Sequence, residues 1–292
     1  MAGGVNLIRV KDKRYPSCLK EIYDPPAQLY VKGALPEEEE PKVAIVGSRL
    51  TSHYGLRAAH TIAADLARAG VVVVSGMALG IDTAAHEGAL SVGGRTLAVL
   101  GSGFSHLYPA ENKKLAEQII KNGALITEYP AETRPLPHHF PMRNRIISGL
   151  SRAVLVVEAR RKSGALITAD FALEQGRDVF AVPGNIDSPK SGGANWLLKQ
   201  GAKIATCAED ILDELNIKPA DSKTNSDQNP MPDDLGPEEK ELLSLFDSEP
   251  LHVDTLLESS RLPSGKAISV LSLLEIKGRL KQLPGKNFVR IR

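Results

Sequence analysis

Three short runs place phosphate-seeking chemistry where a strand gives way to a helix. Gly47-Ser48-Arg49 offers a backbone turn, a hydroxyl and a guanidinium in three consecutive residues. Ser75-Gly76 follows four valines and precedes a helical pattern, so its turn aims backbone N–H groups at one point. Lys162-Ser163-Gly164 repeats the arrangement before Leu166-Ile167-Thr168, where Ser163 can equally serve as an ordinary helix cap. A fourth stretch is basic: 134–162 contains Arg134, Arg143, Arg145, Arg152, Arg160, Arg161 and Lys162, with Glu158 as its single acid. Phe140 lies inside it, and a ring among cations suits single-stranded nucleic acid, since arginines hold phosphates while the ring stacks on a base. The competing reading is a solvated basic face with Phe140 in the core. Asn144, between two arginines, can tie the loop or touch a base.

Other chemistry is excluded or weak. There is no G-x-G-x-x-G fingerprint, and the second strand ends in Ser75 rather than in a ribose-binding acid. No G-x-x-x-x-G-K-[ST] occurs, which argues against ATP hydrolysis, and no G-x-S-x-G or H-E-x-x-H is present. Asp82 and His86 stand four apart on one predicted helix face; without a second ligand cluster they read as a cap and a packed histidine rather than a metal pair. No cofactor is expected.

The elements that must position these residues follow from an alternation of apolar runs and amphipathic stretches. Strands are expected at Val43–Val46, Val71–Val74, Thr96–Leu100, Ala124–Thr127, Ala153–Val157, Asp178–Val182 and Lys203–Ala205. Helices are expected at Tyr54–Ala69, Asp82–Leu90 with Asp82 as cap, Asn112–Lys121, Ala165–Gln175, Ala194–Lys199 and Ala208–Leu215, with a short one near Arg145–Leu150. Valine-rich strands between helices predict an α/β fold, a Rossmann-like doubly wound parallel sheet, whose ligands bind at the carboxyl ends of the strands. Residues 1–41 read as an N-terminal extension containing one short strand (AQLYVKG), and 42–217 as the core. The polar, proline-bearing run at 218–235 reads as a flexible linker. Residues 236–292 show three helices and a hairpin turned at Pro284-Gly285, the order of a winged helix. Its third helix is mostly Ser, Leu, Ile and Val, which leaves DNA contact through the wing and protein docking both open.

Composition sets outer limits. The 292 residues are 42% hydrophobic with a net charge of +1, so any basic surface must be local. Two distant cysteines suit a reducing compartment, and no apolar run reaches bilayer length. The first residues, MAGGVNLIRVKDK, lack the unbroken apolar stretch of a secretory signal. A cytoplasmic protein with no membrane contact is expected.

Six blocks taken together are similar to the DNA-processing protein A (DprA/Smf) family: VAIVGSR, SGMALGIDTAAHEGAL, GGRTLAVLGSGFSHLYPAEN, FPMRNRIISGLS, VVEARRKSGALITA and VPGNIDSPKSGGANWLLKQGA. They run in order through residues 42–206, and YPSCLKEIYDPPAQLYVKG resembles the segment before that core. The N-terminal helical domain of some members is expected to be missing. The resemblance implies a non-enzymatic protein of natural transformation that binds and protects incoming single-stranded DNA, loads the RecA recombinase and works as a homodimer. It implies a DNA groove using Ser48, Arg49, Ser75, Gly76, Phe140, Arg143, Asn144, Arg145, Ser163 and Gly164, beside Lys162 of the basic stretch. One departure is Leu136-Pro137-His138, where the family often has a lysine. Two other classes compete. A nucleotide phosphoribohydrolase of the lysine-decarboxylase-like type would need Pro-Gly-Gly-x-Gly-Thr, but Pro183-Gly184 is followed by Asn185-Ile186-Asp187. A winged-helix regulator with a sensor domain is weakened by the apolar third helix.

Overall fold

The computed structural model describes residues 4–218, 235–246 and 251–290, and the chain divides into two units, residues 1–220 and 221–292. The first unit is built on a nine-stranded sheet: β1 (Asn6–Arg9), β2 (Gln28–Gly33), β3 (Lys42–Val46), β4 (Val72–Ser75), β5 (Thr96–Val99), β6 (Gly123–Thr127), β7 (Ala153–Val156), β8 (Asp178–Ala181) and β9 (Lys203–Ile204). The spatial order is β1-β2-β6-β5-β4-β3-β7-β8-β9. Strands β3 to β9 are parallel, with Val43 beside both Val73 of β4 and Ala153 of β7. Every residue of β3, β4, β5 and β7 is buried, which is why these strands read as unbroken apolar runs rather than alternating ones. Successive side chains enter opposite cores. Ala44, Val46, Val72 and Val74 pack with Ile146, Ile147 and Leu166 on one face. Val43, Ile45, Val71 and Val73 pack with Ile62, Leu66 and Ile81 on the other. Each fully buried valine or isoleucine contributes about 1.5–3 kcal/mol of transfer free energy.

The connections are α1 (Ser17–Lys20), α2 (His53–Arg68), α3 (Ile81–Ser91), α4 (Lys113–Asn122), α5 (His139–Gly149), α6 (Gly164–Glu174), α7 (Gly192–Lys199) and α8 (Glu209–Glu214). The chain winds from β3 through β4 and β5 to β6, then returns to the opposite side of β3 with β7 and continues to β9. The loops after β3 and β7 therefore diverge, opening a crevice at the carboxyl ends of these two strands.

Three expectations change. Residues 1–41 are part of the sheet: β2 pairs antiparallel with β6, placing Tyr30 beside Thr127, and β1 pairs with β2. Tyr15, Leu19 and Leu29 are fully buried in the main core, and the Tyr15 hydroxyl donates to Pro26 O at 2.8 Å. Helix α5 is longer than expected and starts six residues earlier, at His139, because Pro141 falls in its first turn, where a missing N–H costs nothing. Asp82 is not the cap of α3. That position belongs to Gly80, whose φ of 84° favours glycine, and a Cβ there would stand 2.4 Å from Ser48 O. Asp82 instead accepts the N–H of Ala78 at 3.2 Å.

The second unit holds α9 (Pro237–Ser244), β10 (Leu251–His252), α10 (Val253–Ser259), α11 (Ser264–Ile276), β11 (Leu280–Leu283) and β12 (Asn287–Arg290), its sheet ordered β10-β12-β11. Leu242, Leu256, Leu271, Leu274 and Leu280 form its own core. This is the winged-helix architecture, with the short β10 added to the expected hairpin. Ile268, Leu273 and Ile276 are exposed on α11. The run at 218–235 read as a linker lies almost entirely outside the described residues.

Candidate nucleic-acid interface

An open groove of about 490 Å³ lies at the crevice, lined by the loop after β3 (Gly47, Arg49), the loop after β4 (Ala78), the start of α5 (Phe140, Pro141), and the start of α6 (Ser163, Gly164). Tyr108, from the loop after β5, closes one side. Three of these side chains form a cluster. The Arg49 guanidinium lies 5.4 Å from the Phe140 ring centre, and the Tyr108 and Phe140 rings are 5.5 Å apart, tilted by 52°. Arg49 is exposed, Phe140 is half-buried and Tyr108 is 47% exposed. A guanidinium beside two accessible rings can neutralise a phosphate while an unpaired base stacks.

The loop carrying Arg49 is fastened at both ends to Glu158, just past β7. Ser48 N donates to Glu158 O at 2.7 Å. The Glu158 carboxylate accepts Thr51 Oγ1 (2.6 Å), Ser52 N (2.9 Å) and Ser52 Oγ (2.5 Å). Ser48 itself turns inward, its hydroxyl donating to Leu50 O at 3.0 Å, so it shapes the turn. At α6, Ser163 accepts the Ala165 N–H as a cap, and Asn144 Nδ2 donates to Gly164 O at 3.2 Å, tying α5 to the α6 start. Lys162 and Gly164 are exposed beside it.

Two residues expected at the groove, Ser75 and Arg145, are engaged elsewhere, and a third, Arg143, spends its donors on backbone carbonyls at the groove floor. Ser75 is fully buried and its hydroxyl donates to Ile45 O at 2.6 Å, since β4 continues one residue further than expected. Arg145 makes a bidentate pair with Glu128 (2.8 Å to each oxygen) and also reaches Asp24 at 2.9 Å. It joins α5 to β6 and the N-terminal segment. Arg143 is 4% exposed. It donates to Gly76 O at 2.5 Å and to Val99 O, which holds α5 against the ends of β4 and β5. Burial pushes its pKa down to about 10, opposed by the Asp82 carboxylate, so it is still a cation near neutrality. It forms part of the groove floor. Burial raises the Asp82 pKa despite the attraction of Arg143.

His86 lies behind this floor, fully buried, with Nδ1 2.7 Å from Thr96 Oγ1. The Thr96 proton goes to Val73 O at 2.7 Å, so His86 Nδ1 is the donor in their pair and Nε2 is bare. Burial pushes its pKa down to about 3. Among the described residues no three His, Cys, Asp or Glu side chains cluster as metal ligands, and no described helix is long and apolar enough to cross a membrane.

Two groove features escaped the sequence. Tyr108 lies in a loop (residues 100–112) that carries no lysine or arginine, and its partnership with Phe140 is purely tertiary. Glu158 stood out only as the one acid in a basic stretch.

Comparison with known proteins bears on the whole chain. Residues 6–216 match the family model of DNA recombination-mediator protein A, and residues 226–286 match the DprA winged helix domain. The chain is 49% identical over 213 residues to DNA processing protein DprA of Bacillus subtilis, covering 73% of this chain and 72% of that one. It is 42% identical to Protein Smf of Escherichia coli, covering 98% and 78%. Among solved structures, DNA processing protein A from Streptococcus pneumoniae superposes with a TM-score of 0.70 at 45% identity, over 73% of this chain and 75% of that one. DNA processing protein A from Helicobacter pylori, whose structure addresses its single-stranded DNA binding mode, superposes at 0.64 and 30% identity, over 74% and 98%. From the first strand of the sheet to the wing, the chain belongs to the DNA recombination-mediator protein A (DprA/Smf) family.

Proposed function

We propose that this protein binds single-stranded DNA along the β3/β7 crevice, with little sequence preference, in the processing of DNA for recombination. The observation that carries the reading is the convergence of Arg49, Phe140 and Tyr108 on one open groove. Stacking on rings and charge on phosphates are indifferent to sequence, because every base has a π-face and every nucleotide a phosphate. Arg49, Phe140, Lys162 and the exposed α6 start make the direct contacts. Asn144, Arg143, Ser48 and Ser163 hold those elements in place, and Gly76 receives Arg143. Membership of the family and the DNA-binding theme of the Helicobacter pylori relative support the reading. The finer role we assign is protection of incoming DNA and loading of RecA during transformation, by a cytoplasmic homodimer acting through binding and without catalysis. A phosphoribohydrolase activity is not favoured, as Gly184 is followed by Asn185-Ile186-Asp187 and its backbone is paired to Asn195.

Fluorescence anisotropy with labelled oligo-dT, repeated over a range of salt, tests this. Tight binding with a steep salt slope, weakened by Arg49→Ala, is expected. Equal affinity of wild type and Arg49→Ala would remove the groove from the binding site.

A further inference from the structure

We propose that Glu158 is an internal stand-in for a phosphate: it occupies the anion-binding start of α2, excludes free phosphate from it, and fixes the loop that presents Arg49. In a doubly wound sheet the turn from the first parallel strand to its helix aims its donors at a bound anion. Here that turn is Gly47–Ser52, leading from β3 into α2, and its donors are already taken. Ser52 N, Ser52 Oγ and Thr51 Oγ1 converge on the two carboxylate oxygens of Glu158 at 2.5–2.9 Å. The residue is 2% exposed, so these three bonds stand in the place of water around its carboxylate. The site is shaped around the carboxylate: a Cβ added at Gly55, in the first turn of α2, would lie 2.5 Å from Glu158 Oε2. Lys190 Nζ, donating to Thr51 O at 3.0 Å, adds a cation on the outer side of the same loop.

Two consequences follow. The place where a nucleotide's phosphate would sit in this fold is filled and negatively charged, so a mononucleotide has no foothold there. With Ser48 and Thr51-Ser52 both anchored, Arg49 is held between two fixed points and its guanidinium is directed over Phe140. This second consequence rests on the DNA-binding reading; the first does not.

Thermal unfolding in rising inorganic phosphate, against chloride at matched ionic strength, tests the first. Wild type and Glu158→Gln, both with the site filled, show no phosphate-specific shift. Glu158→Ala melts lower in chloride and is restored saturably by phosphate. Absence of that recovery, or an equal shift in wild type, overturns the stand-in. For the second, oligo-dT affinity is measured for wild type, Arg49→Ala, Glu158→Gln and the double variant. A positioning role gives a loss of about fivefold or more from Glu158→Gln alone and little further loss when Arg49 is already alanine. Equal losses in both backgrounds overturn it. Failure of wild type to bind oligo-dT would strike the DNA-binding reading and leave the phosphate titration to judge Glu158.

Discussion

The guanidinium of Arg49 lies over the Phe140 ring, 5.4 Å from its centre, although 91 residues of chain separate the two. Each makes the other more useful to the function proposed above: the ring holds the cation at the groove, and the cation sets a charge beside the ring's free face. Phe140→Ala removes one stacking platform, worth about 1–3 kcal/mol per base, and weakens oligo-dT binding with little change in salt slope. Arg49→Ala removes one phosphate contact and lowers that slope by about 0.7. Anisotropy at four or five salt concentrations separates the two; identical slopes in both variants would show that Arg49 does not meet a phosphate.

Gly101 packs under the same ring. A Cβ at this position would stand 2.9 Å from Phe140 Cδ1, so Gly101→Ala displaces the ring without touching any cation. The expected result is a weaker oligo-dT complex, less impaired than Phe140→Ala, with the wild-type salt slope. Full wild-type affinity would mean that the position of the ring is unimportant.

Arg145 belongs to stability. Its side chain is 7% exposed and its donors are spent on Glu128 and Asp24. Arg145→Ala leaves Glu128 without its partner and costs about 3 kcal/mol, read by chemical denaturation. Oligo-dT affinity per folded molecule stays at the wild-type value. A selective loss of affinity at full stability would return Arg145 to the groove.

His86 makes the first unit acid-sensitive. Its native pKa is about 3 against an ordinary value of 6.5, so between these limits the unfolded chain carries a proton that the native one lacks. Stability therefore falls as pH drops through that window, by up to about 1.4 kcal/mol per pH unit. Asp82, raised by burial, acts with the opposite sign, losing stability as pH rises through its own window. His86→Asn keeps a donor for Thr96 and cannot titrate, so its denaturation free energy changes less steeply between pH 4 and pH 6.5 than that of wild type. Parallel curves would show that His86 is not the source.

The sheet was legible in the sequence because strands covered on both faces must be apolar at every position, and Val71–Val74 and Ala153–Val157 are short, valine-rich runs of that kind. β1 was not legible, because Ile8 is its one buried residue and no period can be read from a single position. Arg49 could be recognised from its place after a Gly-Ser at a strand end, and Phe140 from the cations around it. Arg145 misled because counting local charge cannot see Asp24, 121 residues earlier, or Glu128, just past the end of β6. Tyr108 and Glu158 have roles made by tertiary neighbours alone, Phe140 for the first and the Thr51-Ser52 turn for the second.

The position of β3 has a consequence for how the protein is made. It is flanked by β4 and by β7, so one wall of the crevice is synthesised more than 100 residues after the other. A nascent chain that has emerged through α4 already carries Arg49 and Tyr108, yet lacks the ring, the clamp at Glu158 and the start of α6. The groove is completed late, when β7 docks beside β3. Long-range parallel pairing of this kind is intrinsically slow, so on the function proposed above oligo-dT capture reports completion of the core.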